Sequence, residues 1–259
     1  MRVFSTACPR NCYSTCSFNV HVENNRIVGI SPQPANRATP EGICLKGLSY
    51  IERANSPDRI VFPLQKNKAS GKFERISWEI ALDVIAGELE RLKNKYGAQS
   101  ILFFAASGIS GLLNGISQNF WKLFGGCTTV YGNLCWPAGL EATRLTLGEN
   151  KHNAPWDLQH AKLIIMWGKN AAETNIQEMI QVEKALQNSA KLIVIDPRRT
   201  PTAEKANLLL QPKPGTDAAL ALGVAHVLIK NNWIDHQFVE KHVKGFEPFK
   251  ESLRYFTPN

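Results

Sequence analysis

Six cysteines are the most reactive side chains of this sequence, and four of them are spaced like a ligand set. Three residues separate Cys8 from Cys12 and Cys12 from Cys16, and Cys44 follows much later. Three thiolates in one loop and a fourth from a distant turn can hold an iron–sulfur cube, with one cysteine for each iron. The spacing therefore favours a [4Fe-4S] cluster.

Two other metal sites are alternatives to this cluster. A structural zinc site usually takes pairs of cysteines with two residues between them, and no such pair occurs in the sequence. A three-cysteine cluster of the radical-enzyme type has a tighter spacing on one side and leaves Cys44 without a role. Both alternatives stay open on spacing alone.

The cysteines flank a predicted β-hairpin. Residues 18–23 and 26–30 alternate apolar and polar side chains on either side of an Asn-Asn pair. We expect the segment before the hairpin to be irregular, and a loop over 31–41 to return the chain to Cys44. This first module has too little apolar content for a core of its own, so a metal site would stabilise it.

The rest of the chain alternates short apolar strands with amphipathic helices. One helix is expected to begin after Ser77, a typical N-cap, and to end at Gly97. Strands are predicted over 59–64, 100–105, 163–167, 191–195 and 208–210, and further helices over 176–187 and 218–229. This alternation predicts a parallel sheet that helices cover on both faces.

The fold class is therefore α/β, with three regions along the chain. Residues 1–55 form a small cysteine-rich β module that would carry the iron–sulfur cluster. Residues 56–150 form an α/β region, and residues 151–259 form a Rossmann-like parallel-sheet region. We find no internal repeat and no low-complexity tract.

Polar residues follow the ends of three predicted strands in the last region. Gly168 follows strand 163–167, Asp196 follows strand 191–195, and Gly215 lies in the turn before a helix. Ligands of open parallel sheets bind beyond the carboxyl ends of the strands, and Gly168 would admit a phosphate to backbone N–H groups. Asp196 is suited to a ribose or a base, and Arg198 and Arg199 to a pyrophosphate. The alternative is that these residues only form turns and helix caps, with Asp217 as one such cap, because no G-x-G-x-x-G motif is present.

Composition excludes several classes of protein. The formal charge is +8, but the Lys and Arg residues are dispersed, so nucleic acid is not an expected partner. No run of about 18 apolar residues predicts a membrane span. No export signal is visible at the N-terminus, so we expect a cytoplasmic protein whose cysteines bind metal rather than form disulfides.

Three motifs around the cysteines resemble the start of the molybdopterin oxidoreductases, the dimethyl sulfoxide reductase superfamily. They are Cys8-Pro9-Arg10-Asn11-Cys12-Tyr13-Ser14-Thr15-Cys16, Ile43-Cys44-Leu45-Lys46-Gly47 and Ser56-Pro57-Asp58-Arg59-Ile60 with Pro63-Leu64. The resemblance implies that the four cysteines hold a [4Fe-4S] cluster. It also implies that Lys46 lies between this cluster and a pterin.

The strand ends also match the family. Trp167-Gly168-Lys169-Asn170, Asp196-Pro197-Arg198-Arg199-Thr200 and Gly215-Thr216-Asp217 are similar to the family's contacts with one of two molybdopterin guanine dinucleotides. The site residues implied are Trp167, Gly168, Asn170, Asp196, Pro197, Arg198, Gly215 and Asp217, with Thr174 and Asn175 as further candidates.

Cys135 is the expected protein ligand of molybdenum or tungsten. It lies in Tyr131-Gly132-Asn133-Leu134-Cys135-Trp136-Pro137-Ala138-Gly139, before a predicted helix, where the family supplies this ligand. A soft thiolate suits a metal that dithiolenes already bind. Cys127, which follows two glycines with no helix start behind it, is better explained as a small buried hydrophobic residue.

The resemblance implies two-electron chemistry on a small-molecule redox substrate, of the thiosulfate/polysulfide reductase or formate dehydrogenase type. Electrons would pass singly through the [4Fe-4S] cluster to a ferredoxin-like iron–sulfur subunit. Family members are much longer, so a second polypeptide is expected to supply the remaining domains, and this chain alone to be inactive. The alternatives are a non-catalytic iron–sulfur electron-transfer or assembly module and a zinc-stabilised binding protein.

Overall fold

The computed structural model describes the chain in two compact units, Met1–Pro155 and Trp156–Asn259. The described residues are all except 34, 37–38, 40–41, 106–114, 131, 133 and 258–259. Among them, no helix is both long enough and apolar enough to cross a membrane. The expected α/β class is confirmed, while the finer division into three regions stays a prediction.

The first unit begins with a three-stranded antiparallel sheet of order β1-β2-β3. Its strands are Arg2–Ala7 (β1), Ser17–Glu23 (β2) and Arg26–Pro32 (β3). Asn24 and Asn25 connect β2 to β3 with φ angles of 48° and 61°, which asparagine tolerates better than most residues. The predicted hairpin is therefore confirmed. The expectation of an irregular first segment was wrong, because β1 pairs with β2 along its whole length.

Two short helices follow the sheet, α1 (Leu45–Leu48) and α2 (Tyr50–Asn55). The side-chain amide of Asn55 donates to the carbonyl of Ile27 at 2.7 Å, which fixes the end of α2 against β3. The module that carries the first four cysteines thus consists of one sheet and a pair of short helices, the second of which is hydrogen-bonded to β3. Five residues of the predicted loop 31–41 lie outside the described residues.

The described residues of the remainder of the first unit form two small sheets and three α-helices. Strands β4 (Leu64–Lys66) and β5 (Phe73–Arg75) form a hairpin, and β6 (Leu102–Phe103) pairs in parallel with β7 (Thr128–Thr129). The strand predicted over 59–64 was placed too early, because the observed strand covers 64–66. Pro63 has no N–H for a ladder bond, and pairing begins only at Leu64. Only two residues of the strand predicted over 100–105 are paired.

The helices of this unit are α3 (Trp78–Tyr96), α4 (Ile116–Phe124) and α5 (Trp136–Leu147). The hydroxyl of Ser77 accepts from the Ile80 N–H at 3.2 Å, and Gly97 ends α3 with a φ of 84°. Both predicted ends of α3 are confirmed. Its apolar stripe, however, is largely exposed, with Ala81 as its one buried residue.

The second unit is built on a parallel sheet of order β10-β9-β8. Its strands are Leu163–Trp167 (β8), Lys191–Ile195 (β9) and Leu208–Leu210 (β10), as predicted. The helices are α6 (Ala171–Thr174), α7 (Ile176–Gln187), α8 (Asp217–Lys230), α9 (His236–His242) and α10 (Phe246–Ser252). Val182 of α7 and Leu192 and Val194 of β9 are fully buried, so the core lies between α7 and the sheet.

The expectation that helices cover both sheet faces was wrong for β8. Ile164 and Met166 are buried, whereas Leu163 and Ile165 are more than half exposed. This alternation is the mark of a strand with one covered face, although its sequence is apolar throughout.

Candidate functional site

The first three cysteines lie in a loop that joins two paired strands. Cys8 follows β1 directly, and Cys16 directly precedes β2. The Cys8 N–H donates to the Cys16 carbonyl at 2.7 Å, so the two ends of the loop are clamped together. Cys12 lies at the middle of this loop, where the Thr15 N–H donates to its carbonyl at 3.3 Å. The pairing of β1 with β2 therefore explains how one loop gathers three thiols.

The fourth cysteine is at the start of α1. Cys44 is the N-cap residue of this helix, and its carbonyl accepts from the Gly47 and Leu48 N–H groups at 2.9 and 3.2 Å. Gly47 is buried, and a Cβ there would clash with Cγ2 of Ile43, so a larger side chain does not fit without a shift. Lys46 lies between Cys44 and Gly47 in the same turn, and its carbonyl accepts a hydrogen bond from the Ser49 hydroxyl.

Cys16 is the buried member of the four cysteines, and its thiol is sensitive to charge on the other three. Burial raises the pKa of the Cys16 thiol to about 11, and nearby charge on Cys44, Cys8 and Cys12 adds to this rise. A hydrogen bond with the Thr39 side chain opposes it. A buried thiolate among three others is therefore unfavourable without a positive partner, and iron supplies one. The donor set fits an iron–sulfur cluster.

Two further findings bear on these cysteines. None of the six cysteines, all of which are described, forms a disulfide. Within the described part of the chain, no three His, Cys, Asp or Glu side chains lie close enough together to hold a single metal ion.

Cys135 is exposed and occupies the N-cap position of α5, so the expected helix start is confirmed. Pro137 lies in the first turn, where its missing N–H costs nothing. Cys127, expected as a buried residue, is only half-buried and precedes β7. Tyr131 and Asn133 of the Cys135 motif lie outside the described residues.

The structure brings three predicted loops to one edge of the second unit's sheet. The Gly168 N–H donates to the Ile195 carbonyl at 2.8 Å, and the Asp196 N–H donates to the Leu210 carbonyl at 3.0 Å. The carboxyl ends of β8, β9 and β10 are thus tied side by side. We call this the strand-end edge, formed by residues 167–175, 196–200 and 211–217. Ligands of parallel sheets bind at such edges.

Each loop of the strand-end edge has a defined geometry. Gly168 has a φ of 60°, and a Cβ added there would meet nothing within 4 Å, so a ligand can approach its backbone. Asp196 is buried, and its Oδ1 accepts from the Arg198 N–H at 2.8 Å. The Pro197 carbonyl accepts from the Gln211 side chain at 3.1 Å. These bonds hold the Asp196 loop against the neighbouring loop.

One predicted role at this edge is corrected. Thr216, not Asp217, is the N-cap residue of α8, and Asp217 instead accepts from the indole N–H of Trp167 at 2.7 Å. Arg199 pairs with Glu204 at 2.6 and 3.1 Å, and this pairing raises the pKa of Arg199 and lowers that of Glu204. The expected contact of Arg199 with a pyrophosphate stays a prediction. Gly215, with a φ of 86°, forms the expected turn.

Thr202 is a residue of this site that sequence reasoning missed. It is fully buried, its hydroxyl donates to Oδ1 of Asn170 at 2.8 Å, and it accepts from the Ala172 N–H at 3.0 Å. The Asn170 carbonyl accepts from the Thr174 N–H and hydroxyl at 2.9 and 2.8 Å. Thr202 therefore fixes the loop that carries two of the predicted contacts.

Glu178 is a second residue that was missed. Its carboxylate accepts from Lys169 at 2.6 and 2.7 Å and from the Asn175 amide at 2.7 Å. The Asn175 side chain in turn accepts from the Glu178 N–H at 3.4 Å and caps α7. The spacing of Asn175 and Glu178, N-cap and third helical residue, is the signal that was available in the sequence.

Comparison with known proteins gives consistent matches along the whole chain. The sequence matches the molybdopterin oxidoreductase Fe4S4 domain over residues 1–56 and the molybdopterin oxidoreductase family over residues 59–242. Probable oxidoreductase YyaE of Bacillus subtilis is 34% identical over 98% of this chain and 38% of its own length. Dimethyl sulfoxide reductase DmsA of Escherichia coli is 33% identical over 95% of this chain and 33% of its own length.

A relative and a solved structure extend these matches. The alpha subunit of F420-dependent formate dehydrogenase 1 of Methanococcus maripaludis is 31% identical over 98% of this chain and 37% of its own length. Acetylene hydratase from Pelobacter acetylenicus superposes with a TM-score of 0.68 at 28% identity, over 98% of this chain and 35% of that chain. The chain thus spans little more than a third of the length of these relatives.

The family match over residues 59–242 covers more than half of the chain. Together with the Fe4S4 match, it implies a molybdopterin cofactor with its metal and a [4Fe-4S] cluster. The chain belongs to the molybdopterin oxidoreductase family.

Proposed function

We propose that this chain is the cluster- and cofactor-binding part of a molybdenum or tungsten oxidoreductase. The observation that carries the proposal is the placement of four thiols in one module. Three of them lie in the loop from Cys8 to Cys16, whose ends are hydrogen-bonded to each other, and the fourth, Cys44, is the N-cap residue of α1. A [4Fe-4S] cluster takes four cysteines, one for each iron. The cysteines would hold the cluster, and the backbone clamp would keep its ligands in position.

Lys46 and Cys135 have distinct proposed roles. Lys46 is two residues after Cys44 in the first turn of α1, where its positive charge would stabilise a reduced cluster and an adjacent pterin. Cys135 would ligate molybdenum or tungsten through its exposed thiol. The bound metal would supply two-electron chemistry, while the protein orients it and excludes competing reactions.

The strand-end edge would hold a guanine dinucleotide, one of the two pterin cofactors of the family. Gly168 would let a phosphate reach the backbone, and the buried Asp196 would accept hydrogen bonds from the ribose or the base. Asn170 and Asn175 are kept in place by Thr202 and Glu178. Trp167, Thr174, Pro197, Arg198, Gly215 and Asp217 complete the proposed contacts.

We propose a small-molecule redox substrate, with a reaction of the thiosulfate/polysulfide reductase or formate dehydrogenase type. The names of relatives support this class, since one is a dimethyl sulfoxide reductase and another a formate dehydrogenase subunit. A ferredoxin-like subunit would exchange single electrons with the cluster. The use of cysteines as thiols rather than disulfides supports a cytoplasmic location.

Anaerobic reconstitution tests the cluster assignment. The full chain, treated with iron and sulfide, should bind about four iron atoms and absorb visible light. Cys16→Ala should lose this iron, because Cys16 is the buried member of the set. Cys127→Ala is the matched control and should retain it. Equal iron binding by both variants would contradict the assignment.

Nucleotide binding tests the second part of the proposal. Calorimetric titration of the reconstituted chain with guanosine diphosphate should give saturable binding. A chain that holds the cluster and fails to bind this nucleotide would instead be a non-catalytic iron–sulfur module.

A further inference from the structure

Two buried hydroxyl groups lie against the predicted cluster ligands. Ser14 is 3% exposed and Thr39 is 2% exposed, which is unusual for side chains of a small surface module. The Ser14 hydroxyl lies within hydrogen-bond distance of the Cys12 sulfur, and the Thr39 side chain interacts with the Cys16 thiol and lowers its pKa. The family matches do not assign a role to either residue.

Ser14 contacts Cys12. Its Oγ lies 3.6 Å from the Cys12 Sγ, within hydrogen-bond range for sulfur. The chain turns sharply at this point, because Thr15 has a φ of 43° and its N–H donates to the Cys12 carbonyl. When Cys12 is a thiolate, its sulfur has no proton to give, so the Ser14 hydroxyl is the donor.

Thr39 contacts Cys16 from the other side of the module. Its side chain is hydrogen-bonded to the Cys16 thiol. The Thr39 N–H donates to the Asn36 carbonyl at 3.2 Å, and the Asn36 amide donates to the Thr15 carbonyl at 3.0 Å. Two hydrogen bonds thus connect the cysteine loop to the Thr39 backbone through Asn36.

We propose that Ser14 and Thr39 are positioning residues whose hydroxyl groups raise the reduction potential of the [4Fe-4S] cluster through the sulfurs of Cys12 and Cys16. This inference rests on the proposed function, in which both cysteines are cluster ligands. One-electron reduction adds a negative charge that the ligand sulfurs share. A hydrogen bond to sulfur stabilises the more negative state more strongly, so it favours the reduced cluster.

Redox titration of the reconstituted full chain tests this proposal. The potential is set with dithionite and mediators, and the reduced cluster is measured by electron paramagnetic resonance. Thr39→Val and Ser14→Ala each remove one hydroxyl with little change of shape, and each should shift the midpoint potential to more negative values. The double variant should shift it further. Thr39→Ser, which keeps the hydroxyl, should restore a potential near that of the unchanged protein.

Ser31→Ala is the matched control. The Ser31 hydroxyl lies in the same module but is hydrogen-bonded to the His21 ring at 2.8 Å, not to a cysteine. Its removal should leave the potential unchanged. The proposal is overturned if the Thr39→Val and Ser14→Ala variants carry a full cluster at the unchanged potential, or if Thr39→Ser shifts as far as Thr39→Val.

A measurement on the unsubstituted protein covers the case in which the variants fail to take up iron. The iron–thiolate stretching bands in resonance Raman spectra should shift when exchangeable protons are replaced by deuterons. Bands that do not move would overturn the proposal. A chain that binds no iron at all refutes the proposed function itself, so the two failures are distinguishable.

Discussion

Removal of the Thr202 hydroxyl should destabilise the second unit measurably. Thr202→Val keeps the shape of the side chain but deletes the donor to Asn170 and the acceptor for the Ala172 N–H. A typical intramolecular hydrogen bond contributes about 0.5 to 1.5 kcal/mol, so two lost bonds cost about 1 to 3 kcal/mol. The residue is 0% exposed, so water cannot replace the hydroxyl without rearrangement of the core.

Native-state hydrogen exchange at increasing urea concentration is the suitable assay. The amides of Leu192 and Val194 lie in the core and report the free energy of unfolding of this unit. The Ala172 amide reports the local effect and should lose about tenfold or more of its protection when its acceptor is deleted.

Two comparison variants define what would refute this reasoning. Thr202→Ser keeps both hydrogen bonds and should retain the protection of Ala172. Thr200→Val deletes one hydrogen bond, which the Ala203 N–H donates to the Thr200 hydroxyl at 3.2 Å. It should lower the free energy of unfolding by about half as much as Thr202→Val. Unchanged Ala172 protection in Thr202→Val, or an equal loss in Thr202→Ser, would show that the hydroxyl does not hold the loop.

Two further predictions concern the strand-end edge. Asp196→Asn keeps the oxygen that accepts from Arg198 but removes the charge, and it should weaken guanosine diphosphate binding about tenfold in calorimetry. Asp235→Asn, at the N-cap of α9, is its control, and an equal loss there would exclude a specific role for Asp196. Glu178→Gln should destabilise the second unit by only about 1 kcal/mol, because Lys169 is 38% exposed and its charge is screened. The difference in free energy of unfolding between Glu178→Gln and the unchanged protein should shrink at high salt. A difference that does not depend on salt would rule out the ion pair as its cause.

The elements that sequence alone predicted are those with strong local signals. Helix α3 begins at a serine cap and ends at a glycine, and both signals lie within a few residues of the helix. β8 and β9 are continuous apolar runs, which predict a strand without reference to the rest of the chain. β1 was missed because its strand character depends on pairing with β2, about fifteen residues away.

The residues of the candidate site also differ in how far sequence alone could predict them. Cys8, Cys12, Cys16 and Cys44 were identified from residue type and spacing, because thiols are rare and their ligand patterns are specific. Thr202 and Thr39 were not, because buried threonines have no distinctive sequence pattern. Thr202 lies 32 residues from Asn170, and only the fold brings the two together. Groups that position a site are therefore harder to predict than the groups that bind its ligand.

Both units have apolar side chains that remain exposed although their sequence patterns predict burial. Ile80 and Ile85 of α3 are 49% and 56% exposed, and Ile165 of β8 is 54% exposed. Patterns of this kind normally indicate burial, since apolar surface contributes about 25 cal/mol for each Å² removed from water. The described residues bury only part of these patterns. Such exposed apolar side chains favour contact with other protein surface, because that contact removes them from water. The prediction that helices cover both faces of the sheet failed for β8 because an apolar sequence predicts that a surface is buried, but not which part of a protein covers it.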